Sequence, residues 1–193
     1  MSKIGNSSLK QLYLAPFSAY SLVCCGLLAA LSVVFARLLG FMPSQASRYS
    51  IEAVPIILSG MLFGPIPGAM VGFVADAVGC LFSGYGYNPI FAVAPILYGL
   101  IAGLLRPMLV RRLNLFTIAL SILPSVLLGS ILYQSLALTW MYNTADAFWP
   151  AFTARLASRS IQFGITGALD IAVIWLLFRA KVFQRTKLWP PVC

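Results

Sequence analysis

The sequence predicts an all-α integral membrane protein: one domain over residues 1–193, with six transmembrane helices and both termini cytoplasmic. Three observations predict it. Of the 193 residues 61% are hydrophobic and only 9% charged, where soluble domains carry about 25% charged residues. Apolar runs near the length that crosses a bilayer, about 20 residues, recur six times. Basic side chains then fall mainly on one of the two sides those runs define.

The first run covers 19–41. Lys3 and Lys10 before it give the start of the chain the look of a secretory signal, but Val23 to Leu39 stays apolar well beyond a signal core. The segment is therefore expected to be a retained helix. The second run, 48–63, is short, and the third covers 66–84. Between them "GPIPG" places Pro65 and Pro67 where one continuous helix would be broken, so a tight turn is expected there. The fourth run is 89–105, the fifth 115–138 and the sixth 152–178.

Charge orients these runs. "RPMLVRR" follows the fourth, and the tail "RAKVFQRTKLWPPVC" follows the sixth. With Lys3 and Lys10 they place nine of the thirteen basic residues on one side, which the positive-inside rule makes the cytoplasm. The other four, Arg37, Arg48, Arg155 and Arg159, fall at outer helix ends or in outer loops. Arg37 reads as a snorkelling side chain.

Arg155, Arg159, Gln162, Thr166 and Asp170 are spaced four, three, four and four residues apart, which puts them on one helix face. Such a stripe cannot face lipid; it faces either other helices or a cavity. Two arginines one turn apart repel, so an anionic partner or water is required. The balance favours an anion-binding wall. The chain has four acids, Glu52, Asp76, Asp146 and Asp170. Asp76 and Asp170 fall within spans, where an ionisable group is a functional candidate. Asp76 stands about 15 Å above the GPIPG turn at 1.5 Å per residue, either at a pocket floor or paired internally.

Tyr85, Tyr87, Phe91, Trp140, Tyr142, Phe148 and Trp149 gather around two outer loops. They suit an interfacial belt, and beside the arginines they also suit a flat ring held by stacking. Gly60, Gly64, Gly68 and Gly72 recur every four residues, and Gly99 and Gly103 repeat the spacing. Small residues at this interval let membrane helices approach closely. Gly26 and Ala30 form a similar strip on the first helix.

Cys24, Cys25, Cys80 and Cys193 lie in no metal-binding spacing and the chain has no histidine, so the usual zinc site has no ligand set. No P-loop, HExxH or GxSxG sequence occurs. The motifs point away from an enzyme, and the low polarity points to a bilayer rather than to nucleic acid.

These segments, in order, resemble the substrate-binding S components of energy-coupling-factor (ECF) vitamin transporters, most of all the folate-specific FolT branch. The resemblance rests on "LLAALSVVFARLLGF", "MLFGPIPGAMVGFVADAVG" and "GYGYNPIFAVAPILYGLIAGL". It continues more weakly through "LALTWMY" and "FWPAFTARLASRSIQ", covering about residues 26–165. The last segment departs from the branch at Ser158 and Arg159, where similar chains tend to have Lys-Asn.

The resemblance implies a subunit of a bacterial cytoplasmic-membrane importer that binds its vitamin near the outer surface. It implies a transmembrane coupling subunit and two ATPase subunits as partners. Those ATPases would use ATP and Mg, with no cofactor in this chain. Gly26 and Ala30 would meet the coupling subunit. For folate, a flat pterin with a dianionic glutamate tail, the expected contacts are Arg48, Tyr87, Asn88, Phe91, Trp140, Arg155 and Arg159, with Asp76 behind them. An S component for another heterocycle, a pyrimidine or queuosine precursor, stays open. So does a non-transport membrane scaffold whose polar stripe is structural.

Overall fold

Helix α1 spans Ala19–Leu38 and turns Leu22, Val23 and Leu27 outward, all more than half exposed. The computed structural model describes residues 18–38, 41–44, 47–49, 51–82, 87–142 and 148–185. Lys3, Lys10, Tyr85, Asp146, Lys187 and Cys193 lie outside them. After α1 the backbone forms a hairpin, β1 (Phe41–Ser44) antiparallel to β2 (Ser47–Tyr49), with Phe41 opposite Tyr49. Pro43 suits this edge pairing, because it has no N–H to continue a helix.

Helix α2 (Ala53–Phe63) is followed by α3 (Pro65–Leu81) and α4 (Pro89–Leu104). A short α5 (Arg106–Arg111) extends α4. Helix α6 (Leu115–Val126) runs through a π-helical segment, Leu127–Tyr133, into α7 (Gln134–Tyr142). The long α8 (Phe148–Arg179) and a short α9 (Val182–Arg185) complete the described chain.

Among the described residues, four stretches are long and apolar enough to cross a membrane by length and composition: Ala19–Leu38, Pro89–Arg111, Leu115–Tyr142 and Phe148–Arg179. Ala53–Phe63 and Pro65–Leu81 are apolar but shorter. Together they occupy the six expected runs in order, with shifted edges. The second run was expected from residue 48, but residues 47–49 pair as a strand and the helix starts only at Ala53. The same hairpin adds two short strands to an otherwise helical fold. The sixth run starts earlier than expected, at Phe148.

Helix α2 lies in the middle of the bundle. Every residue from Val54 to Phe63 is buried, and α2 packs on α1, α3, α4 and α8. The expected turn between α2 and α3 is a single residue, Gly64, whose φ of 105° favours glycine. Its N–H closes α2 on the Gly60 carbonyl at 2.9 Å, and Pro65 opens α3 where no N–H is needed.

The four-residue glycine spacing is the crossing point of three helices. A methyl on Gly68 would stand 2.5 Å from the Gly99 carbonyl oxygen, and one on Gly60 would strike the same group. The α3–α4 contact is the most extensive in the fold. Helix α4 in turn meets α6 and the π segment, which lean on α8. Phe116, Ile161 and Leu176 are examples of the apolar outer surface, each about two-thirds exposed or more.

Candidate substrate-binding site

The polar stripe of α8 points into the protein. Arg155 and Arg159 are half-buried, while Gln162, Thr166 and Asp170 are only 7%, 4% and 2% exposed. Their helical neighbours Ile161, Ile165 and Leu169 are more than half exposed. Burial therefore settles which way the stripe faces. Gly167 is also buried, yet a Cβ placed there would meet nothing within 4 Å. Open space thus adjoins the inner face next to Thr166 and Asp170.

Each polar group on this face has a distinct environment. The Arg159 guanidinium donates from Nη1 to Gln134 Oε1 at 3.1 Å and to the Ser130 carbonyl at 3.5 Å. Its Cζ stands 5.9 Å from the centre of the Phe163 ring, within cation–π range. The Thr166 hydroxyl donates to the Gln162 carbonyl of its own helix at 3.2 Å. Asp170 Oδ1 is buried without a hydrogen-bond partner among the described residues.

Asp76 stands across the bundle on α3, half-buried, with Oδ2 likewise unpartnered among the described residues. Glu52 and Asp76 lie twelve residues either side of Gly64, so the antiparallel α2 and α3 bring them to similar depth. Glu52 is in electrostatic reach of Asp76, Asp170 and the buried Tyr98 hydroxyl. Three of the chain's four acids thus share one region of the interior.

The loop-borne residues are placed differently. Asn88 is the N-cap of α4: its Oδ1 accepts from the Ile90 N–H at 3.1 Å, and its Nδ2 donates to Met141 Sδ at 3.4 Å. Tyr87 beside it is 44% exposed, and Phe91 is half-buried in the first turn. Trp140 is 71% exposed near the end of α7. Arg48 belongs to β2; its side chain is not among those described. Arg37 does more than snorkel, since its Nη2 donates to the Gly79 carbonyl near the end of α3.

Comparison with known proteins places this arrangement. The profile of the ECF-type riboflavin transporter, S component, matches residues 16–180. The chain belongs to that family. This S component is 26% identical to the folate transporter FolT of Clostridium novyi over 159 residues, 80% of this chain and 88% of that protein. Among solved structures, that of FolT bound with folic acid superposes with a TM-score of 0.66 at 29% identity, covering 81% of this chain and 93% of that one. Two uncharacterized proteins of Mycoplasma pneumoniae also match, at 38% and 31% identity over 63 and 132 residues. The S component spans only 13% and 46% of their lengths.

Gln134, Ser130 and Tyr98 were not anticipated as part of this region. Gln134 carried a usable signal, as the sole side-chain amide in the apolar run 115–138. A buried amide in a membrane helix needs a partner. Ser130 contributes its backbone carbonyl and Tyr98 is a lone hydroxyl inside an apolar run, so neither was legible.

Proposed function

We propose that this S component is the substrate-binding subunit of an ECF-type importer in a bacterial cytoplasmic membrane and that it takes up folate. The chain crosses the membrane six times with both termini inside, the short α2 being buried among its neighbours while α3 keeps an exposed apolar face. The observation that carries the substrate is the pair Arg155 and Arg159, half-buried one turn apart on the inner face of α8. Among the described residues no carboxylate pairs with Arg159. Charge-assisted bonds to carboxylates use such guanidinium groups best. Folate brings two carboxylates on its glutamate tail; riboflavin, named in the family description, is neutral and brings no anion to this face.

The pterin ring presents N–H donors that suit a buried carboxylate. Asp170, 2% exposed, is better placed for this than Asp76. Tyr87, Phe91 and Trp140 supply aromatic surface toward the outer end, and Arg48 on the hairpin a further cation. On the opposite face Gly26 and Ala30 are exposed, and a Cβ at Gly26 would meet nothing within 4 Å. That open strip suits a coupling subunit, with two ATPases beneath it using ATP and Mg.

Titration of the purified chain with folate and with riboflavin tests the substrate. Folate is expected to bind, and Arg155→Ala to weaken it by about tenfold or more. A riboflavin complex insensitive to Arg155→Ala would instead support the second reading, a riboflavin S component, which the family description favours.

A further inference from the structure

Arg159 is held by an irregularity in the helix opposite it. In the π segment the Gln134 N–H bonds to the Gly129 carbonyl, five residues back. In an α-helix that N–H would bond to the carbonyl of Ser130, four residues back. The wider turn leaves the Ser130 carbonyl to receive Arg159 Nη1, which lies 3.5 Å away. The same nitrogen donates to the side chain of Gln134 at 3.1 Å. One extra residue in a turn thus presents two neutral acceptors to one guanidinium nitrogen.

Neutrality is the informative feature. A guanidinium carries five N–H donors and a charge that persists at any physiological pH. A glutamate at position 134 would satisfy the same nitrogen while cancelling the charge. Glutamine satisfies it and leaves the charge intact. Arg155, one turn away, adds charge of the same sign. Phe163 covers the guanidinium face. Tyr133, in the same segment, fixes it to α4 by donating to the Ile90 carbonyl at 3.0 Å. The turn is therefore anchored on both sides.

The geometry points to Gln134, with the π turn that precedes it, as the positioning element that aims an uncancelled Arg159 at a carboxylate of the substrate. This rests on the reading of Arg159 as a substrate contact. Gln134 sets specificity for an anionic tail through Arg159 and need not touch the ligand itself.

The test is a double-mutant cycle on the full chain purified in detergent, with folate and with pteroate, which keeps the ring system but lacks the glutamate. Gln134→Met keeps the side-chain volume and removes the acceptor. It is expected to lower folate affinity by about tenfold and pteroate affinity much less. In the Arg159→Ala background Gln134→Met is expected to add nothing, since both act through one group. Gln134→Glu is expected to lower folate affinity further than Gln134→Met, and it carries the test if Gln134→Met does not fold.

Equal losses for folate and pteroate, or losses that add to those of Arg159→Ala, overturn the inference and leave the substrate reading standing. If Arg159→Ala leaves folate affinity unchanged, the role of Arg159 falls and this inference with it. Binding of riboflavin but not folate overturns both.

Discussion

Gly68 and Gly99 meet backbone to backbone where α3 crosses α4. A methyl on Gly68 would reach within 2.5 Å of the Gly99 carbonyl oxygen, and neither backbone can move without displacing Gly60 or Gly103. Gly99→Ala is therefore expected to cost about 3 kcal/mol or more, at the upper end for overpacking. Thermal unfolding in detergent measures it, with Gly26→Ala as the control. Gly26 has open space around it, so equal losses from both variants would show that the crossing is not tight.

Asp170 combines near-complete burial with an oxygen that has no partner among the described residues. Its carboxyl should cost the empty protein stability that an apolar side chain would not. Asp170→Leu is expected to raise stability by about 1–3 kcal/mol while lowering folate affinity at least about tenfold. Paired melting and titration curves read both effects. A less stable variant with unchanged affinity would make Asp170 a structural group and remove it from the site.

Arg37 joins the end of α1 to the end of α3 through the Gly79 carbonyl. A cation here also suits the negative end of the α3 dipole. Arg37→Met, which keeps the apolar stem, is expected to lower stability by about 1 kcal/mol and leave ligand affinity within about twofold. Chemical denaturation checks the first part and titration the second.

Ala30 is exposed on α1, on the same strip as Gly26. A bulky group there should leave the interior untouched and block close approach by another helix. Ala30→Trp is expected to abolish folate uptake by cells while the purified subunit still binds folate normally. Loss of both together would mean misfolding, and unchanged uptake would move the coupling surface elsewhere.

Much of the scaffold was legible because its causes are local. Pro65 and Pro67 forbid a continuous helix, so the turn between α2 and α3 could be placed, though not reduced to the one residue Gly64. The spacing of Arg155, Arg159, Gln162, Thr166 and Asp170 gave the stripe on α8. It could not say which way the stripe faces; the burial gradient turns it into the protein, where Arg159 meets the π segment and open space adjoins Gly167. Asn88 is expected as a folate contact from the resemblance, and the structure adds that it caps a helix. The hairpin at residues 41–49 was missed, since pairing of such short strands has no strong periodic signature.

The sequence by itself determined the solvent of this protein, its helical class and the order of its apolar runs. Those follow from composition and from the periods of 3.6 residues and of the bilayer thickness, which act along the chain. Only the tertiary structure decided which glycines touch, that Arg159 meets neutral acceptors, and that Glu52, Asp76 and Asp170 share one region. These depend on groups far apart in sequence. The Gln134–Arg159 bond, for example, joins positions 25 residues apart. A π turn shifts the register of the helix that carries Gln134, and no pattern of apolar residues encodes that shift.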